Sequence, residues 1–407
     1  MAYTFKIPFK PGIIDTHLLK KAPAAIYPCT NNSASYWYGG AQAIYQGIRS
    51  LGLQKEDIVL VPAYSCGSEV APLLAAGLTL EYYRSLPDLS PDFAHLELLC
   101  RRKPKALLVI HYFGFPQPMH ALVDFKQKHN LYLIEDNAHG LYSEDCSGNP
   151  LGRVGDIAIF SFTKSLPTTD GGALVINHAN GVGPTEGGIA PQLSPVAKKI
   201  TGKTAYQLIN IIAKIYPRAG EVIKGQLFGR FSAEPDLDDF KESRWDTPDI
   251  VDNYLEFDPA RADWHMSSVS RFLVEHQPHS AIIRTRRRNF NLVLEFCQET
   301  SANLMPLFSS LPPGVCPLLF PVQASDSLSL YHFLRSGGIE ALRFWRFFHF
   351  DHPKDRFPFE TALKRNVIAL PIHQDISSHD VLYMIELLRE WKKNKEIISR
   401  FRYFDDD

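Results

Sequence analysis

Asp136 and Lys164 are the two residues whose types and placement could do chemistry together. Each stands where a short apolar run ends: Leu131-Tyr132-Leu133-Ile134 stops at Glu135-Asp136, and Ile157-Ala158-Ile159-Phe160-Ser161-Phe162 stops before Thr163-Lys164. A third run, Ala173-Leu174-Val175-Ile176, follows Gly171-Gly172. Such runs suit interior strands of a largely parallel sheet covered on both faces, where ligands gather at the carboxyl ends. A lysine amine there can form a Schiff base with an aldehyde. A carboxylate nearby can hydrogen-bond a ring nitrogen and keep it protonated, and this is the pair that pyridoxal phosphate requires. An acid and a lysine at strand ends occur in many α/β proteins, so the bare pair also has a plain structural reading.

The elements that must position these residues can be read in chain order. Ala41, Ile44, Tyr45 and Ile48 have helical spacing directly after Gly39-Gly40, an arrangement that could offer free N–H groups to an anion. Asp57 to Val61 reads as a buried strand running into Pro62-Ala63-Tyr64-Ser65-Cys66, and Ala106 to Ile110 as another, followed by a helix around His120 to His129. Strands alternating with helices predict a doubly wound sheet. From about residue 260 onward a smaller α/β domain is expected. Its strands fall within Gly314 to Val322 and Val367 to His373, and its helices within Arg271 to Arg288 and His379 to Asn394. Residues 1–30, rich in proline and lysine, read as an extended surface arm, and residues 31–260 as the large domain.

Three stretches together resemble the DegT/DnrJ/EryC1/StrS family of pyridoxal phosphate sugar aminotransferases: Ile134-Glu135-Asp136-Asn137-Ala138-His139-Gly140, Gly155 to Lys164, and Thr168-Thr169-Asp170-Gly171-Gly172-Ala173. The resemblance runs from about Trp37 to Trp391. It implies an aspartate-aminotransferase-like fold, pyridoxal phosphate fold type I: a large, mixed, mostly parallel sheet domain plus a smaller C-terminal α/β domain. By the same resemblance Lys164 is the Schiff-base lysine, although its turn is two residues shorter than is usual in the family. Asp136 would pair with the ring nitrogen and Ser161 would hold the phosphate, joined by the backbone N–H groups of Gly40 and Ala41. His139 stands where the family usually has a glutamine near the phenolic oxygen, and an imidazole can still donate there. Cys66 occupies the position of the family's ring-stacking aromatic, so either it or Tyr64 would make that contact. Asp263-Trp264-His265-Met266-Ser267 resembles the family's Asn-x-Arg-Met-Ser turn, with a carboxylate in place of the phosphate-reaching asparagine.

Composition bounds the function classes. The 407 residues carry a formal net charge of -1, which gives no electrostatic argument for nucleic acid. No stretch approaches the roughly 20 consecutive apolar residues of a membrane span. Six scattered cysteines without a C-x-x-C pair suggest neither zinc nor a redox couple, and no metal site is expected. Reduced thiols and the lack of an apolar N-terminal core fit the cytoplasm.

The main departure is an insert at about 177–262, where Ala205 to Tyr216 has the spacing of a helical cap. Its apolar face, with Lys198, Lys199, Lys203, Lys214 and Arg218 nearby, could touch a membrane surface, but covering the site or a dimer interface is the commoner use of such a face. Gly202-Lys203-Thr204 has Ala197 where a P-loop needs its first glycine, so that match is set aside. Arg284, Arg286, Arg287 and Arg288 would ordinarily be a solvated face, with a nucleotide diphosphate as the sharper alternative. Arg343, Trp345, Arg346 and His349 interleave charge with rings, as a nucleotide or sugar site would need.

The function implied is transfer of an amino group from an amino acid, usually glutamate in the family, to a keto sugar, expected to be nucleotide-linked, by a homodimer. The alternatives are a pyridoxal phosphate enzyme acting on another carbonyl substrate and a non-catalytic scaffold of the same fold. Family members that act as sugar dehydrases replace the lysine with histidine, and Lys164 argues against that reading.

Overall fold

The computed structural model describes residues 7–12, 25–177, 257–299, 304–324, 326–349 and 352–402. The inserted helix expected at 205–216, the basic residues around it and the glycine-lysine-threonine match lie outside the described residues.

Seven strands make the larger sheet: β1 (Ala34–Trp37), β2 (Ile58–Pro62), β3 (Thr79–Tyr83), β4 (Ala106–Ile110), β5 (Tyr132–Asp136), β6 (Ile157–Ser161) and β7 (Gly172–Ile176). Their order is β1-β7-β6-β5-β4-β2-β3. The pairs from β3 through β6 are parallel, while β7 runs antiparallel to both β6 and β1. This is the mixed, mostly parallel sheet that the apolar runs predict. Every residue of β4 and β6 is buried, because helices such as Gly40–Ser50 and Met119–His129 cover the faces. The edge strand β1 was not anticipated. It is short and only half-buried, so it lacks the continuous apolar run that marks its neighbours.

Four further strands, β8 (Leu304–Pro306), β9 (Phe320–Ala324), β10 (Leu342–Arg343) and β11 (Val367–Leu370), form an antiparallel sheet in the order β10-β11-β9-β8. The expected long strand at 314–322 shrinks to Phe320–Ala324. The continuous helix expected from Arg271 to Arg288 is two helices, Ser268–Glu275 and His279–Glu299. Pro278 explains the break, since it has no N–H to continue the ladder. The N-terminal segment is not purely a surface arm. Ile7 is buried and donates its N–H to Gly338 at 3.1 Å, while Glu340 N–H returns to the Ile7 carbonyl at 2.9 Å. Among the described residues no helix is long and apolar enough to cross a membrane.

Candidate active site

The parallel strands bring their carboxyl ends to one side of the sheet, and those of β5 and β6 carry residues singled out by the sequence. Asp136 closes β5 and Ser161 closes β6. One short helical turn, Phe162–Ser165, then carries Lys164. Asp136 and His139 are both buried. Lys164 Nζ lies 3.2 Å from His139 Nε2, so the loop after β5 and the turn after β6 meet at that contact.

Charge and burial set how these groups behave. Burial pushes the Asp136 carboxyl up to about 6, while the positive charge of Lys164 pulls it back. Its Oδ1 accepts the Ala138 N–H at 2.8 Å. His139 is held neutral, since burial first and the Lys164 charge second drive its pKa well below the usual range. Its Nδ1 accepts the N–H of Phe113 at 3.2 Å. In a neutral imidazole the remaining proton then belongs to Nε2, the ring nitrogen on the Lys164 side, where it can be donated to a lone pair but not to an ammonium. Phe113, at φ 55°, sits in the tight turn after β4 that aims its own N–H.

The anion-binding end is built by glycine. The helix Gly40–Ser50 begins after Gly39 with no side-chain cap, leaving first-turn N–H groups free to bind an anion. A Cβ on Gly40 would stand 3.6 Å from Ser161 Cβ, which places the helix start beside the Ser161 side chain. Gly172 makes this approach possible: a Cβ there would come within 2.4 Å of the Gly39 carbonyl carbon and 2.7 Å of the Gly40 nitrogen. Thus Gly40, Ala41 and Ser161 surround one corner of the site.

Cys66 lies close enough to feel the Lys164 charge, and its side chain is engaged within its own loop. Its thiol contacts Glu69 Oε2 and Ser68 Oγ, both at 2.8 Å, and its N–H donates to Glu69 Oε1 at 2.7 Å. Burial and then the Glu69 charge push the thiol up to about 12, so it remains protonated. Tyr64 is fully buried, with its ring 5.5 Å from Tyr112 and 5.1 Å from Trp345. Of the four residues expected near the substrate, Trp345 is the one whose ring reaches His139, at 5.3 Å between centroids. Arg346 is buried against the ring of Phe347 at 4.4 Å.

Two other expectations take a structural form. Asp263 pairs with Arg49 Nη1 at 3.3 Å and accepts from Gln46 Nε2 at 2.8 Å, so an arginine attends the carboxylate. Three of the four clustered arginines are tied to backbone carbonyls rather than arrayed for a diphosphate. Arg286 is fully buried and donates to Leu318 O at 2.8 Å, Ser165 O at 3.0 Å and Gln374 Oε1 at 3.1 Å. Arg287 donates to Pro312 O and Arg288 to Ile376 O.

The sequence gives little warning of the residues that brace this centre. Glu135 accepts N–H groups from Gly152 and Val154 at 3.1 and 2.8 Å and contacts His111 Nε2 at 3.0 Å. Burial raises its pKa, but the His111 contact and the backbone donors more than offset that and hold it below the usual range. Asp170 accepts the N–H and hydroxyl of Ser267 at 2.8 and 2.7 Å, fastening the 263–267 turn to the Gly171-Gly172 step. Glu135 and Asp170 lie within the motif stretches themselves, but nothing in the sequence names their distant partners.

Residues 33–181 match the DegT/DnrJ/EryC1/StrS aminotransferase family. The chain is 30% identical over 141 residues to the GDP-perosamine synthase of Escherichia coli O157:H7, covering 34% of this chain and 38% of that protein. It is 32% identical over 146 residues to the dTDP-4-amino-4,6-dideoxy-D-glucose transaminase of Shigella dysenteriae, covering 35% and 39%. The alignment thus spans about two fifths of the length of these curated relatives. The fold likeness extends further. A sugar aminotransferase structure from Streptococcus pneumoniae, solved in its PMP form, superposes with a TM-score of 0.64 at 17% identity over 97% of this chain and 99% of that one. An aminotransferase from Psychrobacter cryohalolentis gives 0.61 at 14% identity over 89% and 87%. The fold is that of the DegT/DnrJ/EryC1/StrS aminotransferases, fold type I.

Proposed function

We propose that the chain is a pyridoxal 5′-phosphate-dependent aminotransferase moving an amino group from an amino acid, glutamate in the first instance, to a keto sugar carried on a nucleotide. The observation that carries this reading is the convergence of Lys164, His139 and buried Asp136 at the carboxyl ends of β5 and β6. The residues fit the cofactor. The uncapped helix start at Gly40 and the Ser161 hydroxyl suit a phosphate, and a buried carboxyl raised to about 6 suits a site meant to face a cationic ring nitrogen.

When bound, the cofactor supplies an aldehyde that condenses with amines and a ring that accepts electrons. The protein's residues do the rest. Gly40 and Ala41 offer N–H groups, and Ser161 its Oγ–H, to the phosphate. Asp136 would accept a hydrogen bond from the protonated ring nitrogen, and its burial would keep that contact out of water. His139 offers its Nε2–H to the phenolic oxygen, the role a glutamine plays in the family. Lys164 Nζ would be the amine that holds the cofactor's aldehyde and, when free, the base for the proton on the donor's α-carbon. Related transaminases act on dTDP- and GDP-linked sugars by name, and the match over about two fifths of their length supports the acceptor class proposed here. A homodimer in the cytoplasm is part of this reading. It rests on the resemblance and on a chain without cysteine pairs suited to an oxidising compartment.

The test compares wild type with Lys164→Ala. Purified protein is mixed with pyridoxal 5′-phosphate, its visible spectrum recorded, then reduced with borohydride and peptide-mapped. The expected result is a visible band trapped on Lys164 in wild type, bleached by glutamate and absent from the variant, with transamination lowered by at least ~1000-fold. Lack of any band would refute the reading. A band that no amino donor alters would shift it to a non-transaminating enzyme of the same cofactor.

A further inference from the structure

Position 66, which would carry the ring-facing aromatic, holds a cysteine whose sulfur is directed at Glu69 and Ser68. An aromatic ring nevertheless reaches the site from a different part of the chain. Trp345 follows β10 of the small sheet, and its ring lies against His139 (5.3 Å, tilted 36°), Tyr64 (5.1 Å) and Phe344 (4.8 Å). His139 in turn touches Lys164. Trp345 has φ 53°, a left-handed conformation uncommon for a bulky residue, so its surroundings must hold it there.

Lys364 supplies the hold. It is 1% exposed, and its ammonium donates to the carbonyls of Trp345 at 3.1 Å, Phe347 at 2.8 Å and Ser65. All three N–H groups are used, one on the loop after β2 and two astride the ring of interest. Burying an ammonium is costly unless it is fully hydrogen-bonded, so this lysine acts as a tie between two loops rather than as a solvated charge. We propose that Trp345, fixed by Lys364, is the aromatic wall of the site lined by His139 and Lys164, standing in for the ring that position 66 lacks. Lys364 is a positioning residue, since it reaches the site only through Trp345 and Ser65. The inference rests on the cofactor reading above.

Wild type, W345F, W345A and K364M are titrated with pyridoxal 5′-phosphate, following affinity by absorbance and tryptophan emission by fluorescence. Cofactor addition is expected to quench wild-type emission, and W345F to lose about half or more of that quench while binding within roughly threefold of wild type. W345A is expected to bind roughly tenfold more weakly. K364M, shown by near-ultraviolet circular dichroism to be folded, should share the W345A affinity loss and make its emission more accessible to acrylamide, a readout that general destabilisation would not produce at a temperature where the protein is folded. An unchanged quench in W345F together with W345A affinity within twofold of wild type would overturn the inference while leaving the cofactor reading intact. Should K364M not fold, the two Trp345 variants decide. Absence of cofactor binding by wild type would remove both readings.

Discussion

At the scale of single residues, the site is made of groups that the fold alone does not favour. Asp136 is the clearest case. Its ordinary value is 3.8 and burial carries it to about 6, so the native state holds its proton more tightly than the unfolded chain does. Its contribution to stability is therefore greatest below the ordinary value and declines as pH rises through about 6. Roughly two pH units at about 1.36 kcal/mol each amount to a cost of about 3 kcal/mol at neutral pH. Asp136→Asn keeps an acceptor for the Ala138 N–H and cannot ionise. The cofactor-free variant should therefore exceed wild type by up to about 3 kcal/mol in urea unfolding at pH 7.5 and match it near pH 3. Added pyridoxal 5′-phosphate should stabilise wild type more than the variant, which loses only the contact to the ring nitrogen. Equal stability of the two proteins at pH 7.5 would show that the carboxylate is not strained.

At the scale of elements, the decisive device is the approach of β7 to the start of the helix Gly40–Ser50. Gly172 pairs with both Trp37 and Ser161, so one residue sits between the strand leading into the helix and the strand bearing the serine. Its Cα hydrogen faces the Gly39 backbone, where a methyl group would overlap atoms that cannot rotate away. Gly172→Ala should lower stability by about 1–3 kcal/mol, the usual cost of forcing volume into a packed contact. It should also weaken pyridoxal 5′-phosphate binding by pushing the helix start away from Ser161. Thermal unfolding and a cofactor titration measure the two effects, and a variant with wild-type affinity would separate Gly172 from the anion corner.

At the scale of the whole molecule, the two sheets are joined around the lysine turn. Arg286, from the long helix His279–Glu299, reaches the Ser165 carbonyl beside Lys164 and the Leu318 carbonyl near the start of β9. Gln374 adds a second donor to Ser165 O at 3.2 Å. The lysine turn is thus anchored by side chains more than a hundred positions away in sequence. Arg286→Met leaves the Leu318 carbonyl without this donor and Ser165 with one fewer, which should cost about 2–4 kcal/mol. A fall in melting temperature with unchanged cofactor affinity would limit Arg286 to stability, whereas weaker cofactor affinity as well is expected if it positions Lys164.

What the sequence determined by itself was local. Strands β2, β4, β5, β6 and β7 announce themselves as short apolar runs, since both faces of a mostly parallel sheet are covered, and the residues at their ends were identifiable for the same reason. Asp136 and Lys164 could be named because each stands within a few residues of such an end, whereas His139 and Ser161 were named only through the family resemblance. Only the tertiary structure decided which distant groups serve them. Arg286, an apparent member of a surface charge run, is buried at the lysine turn. Trp345, one ring in an aromatic cluster, is set against His139 together with Phe113 and Phe344, and Lys364 has no pattern around it at all. A hydrogen bond from a buried cation to a carbonyl leaves no mark on residue type at the acceptor, because every residue has a carbonyl. Periodicity records which face of an element is covered, whereas which distant side chain meets which backbone atom is settled only when the elements pack.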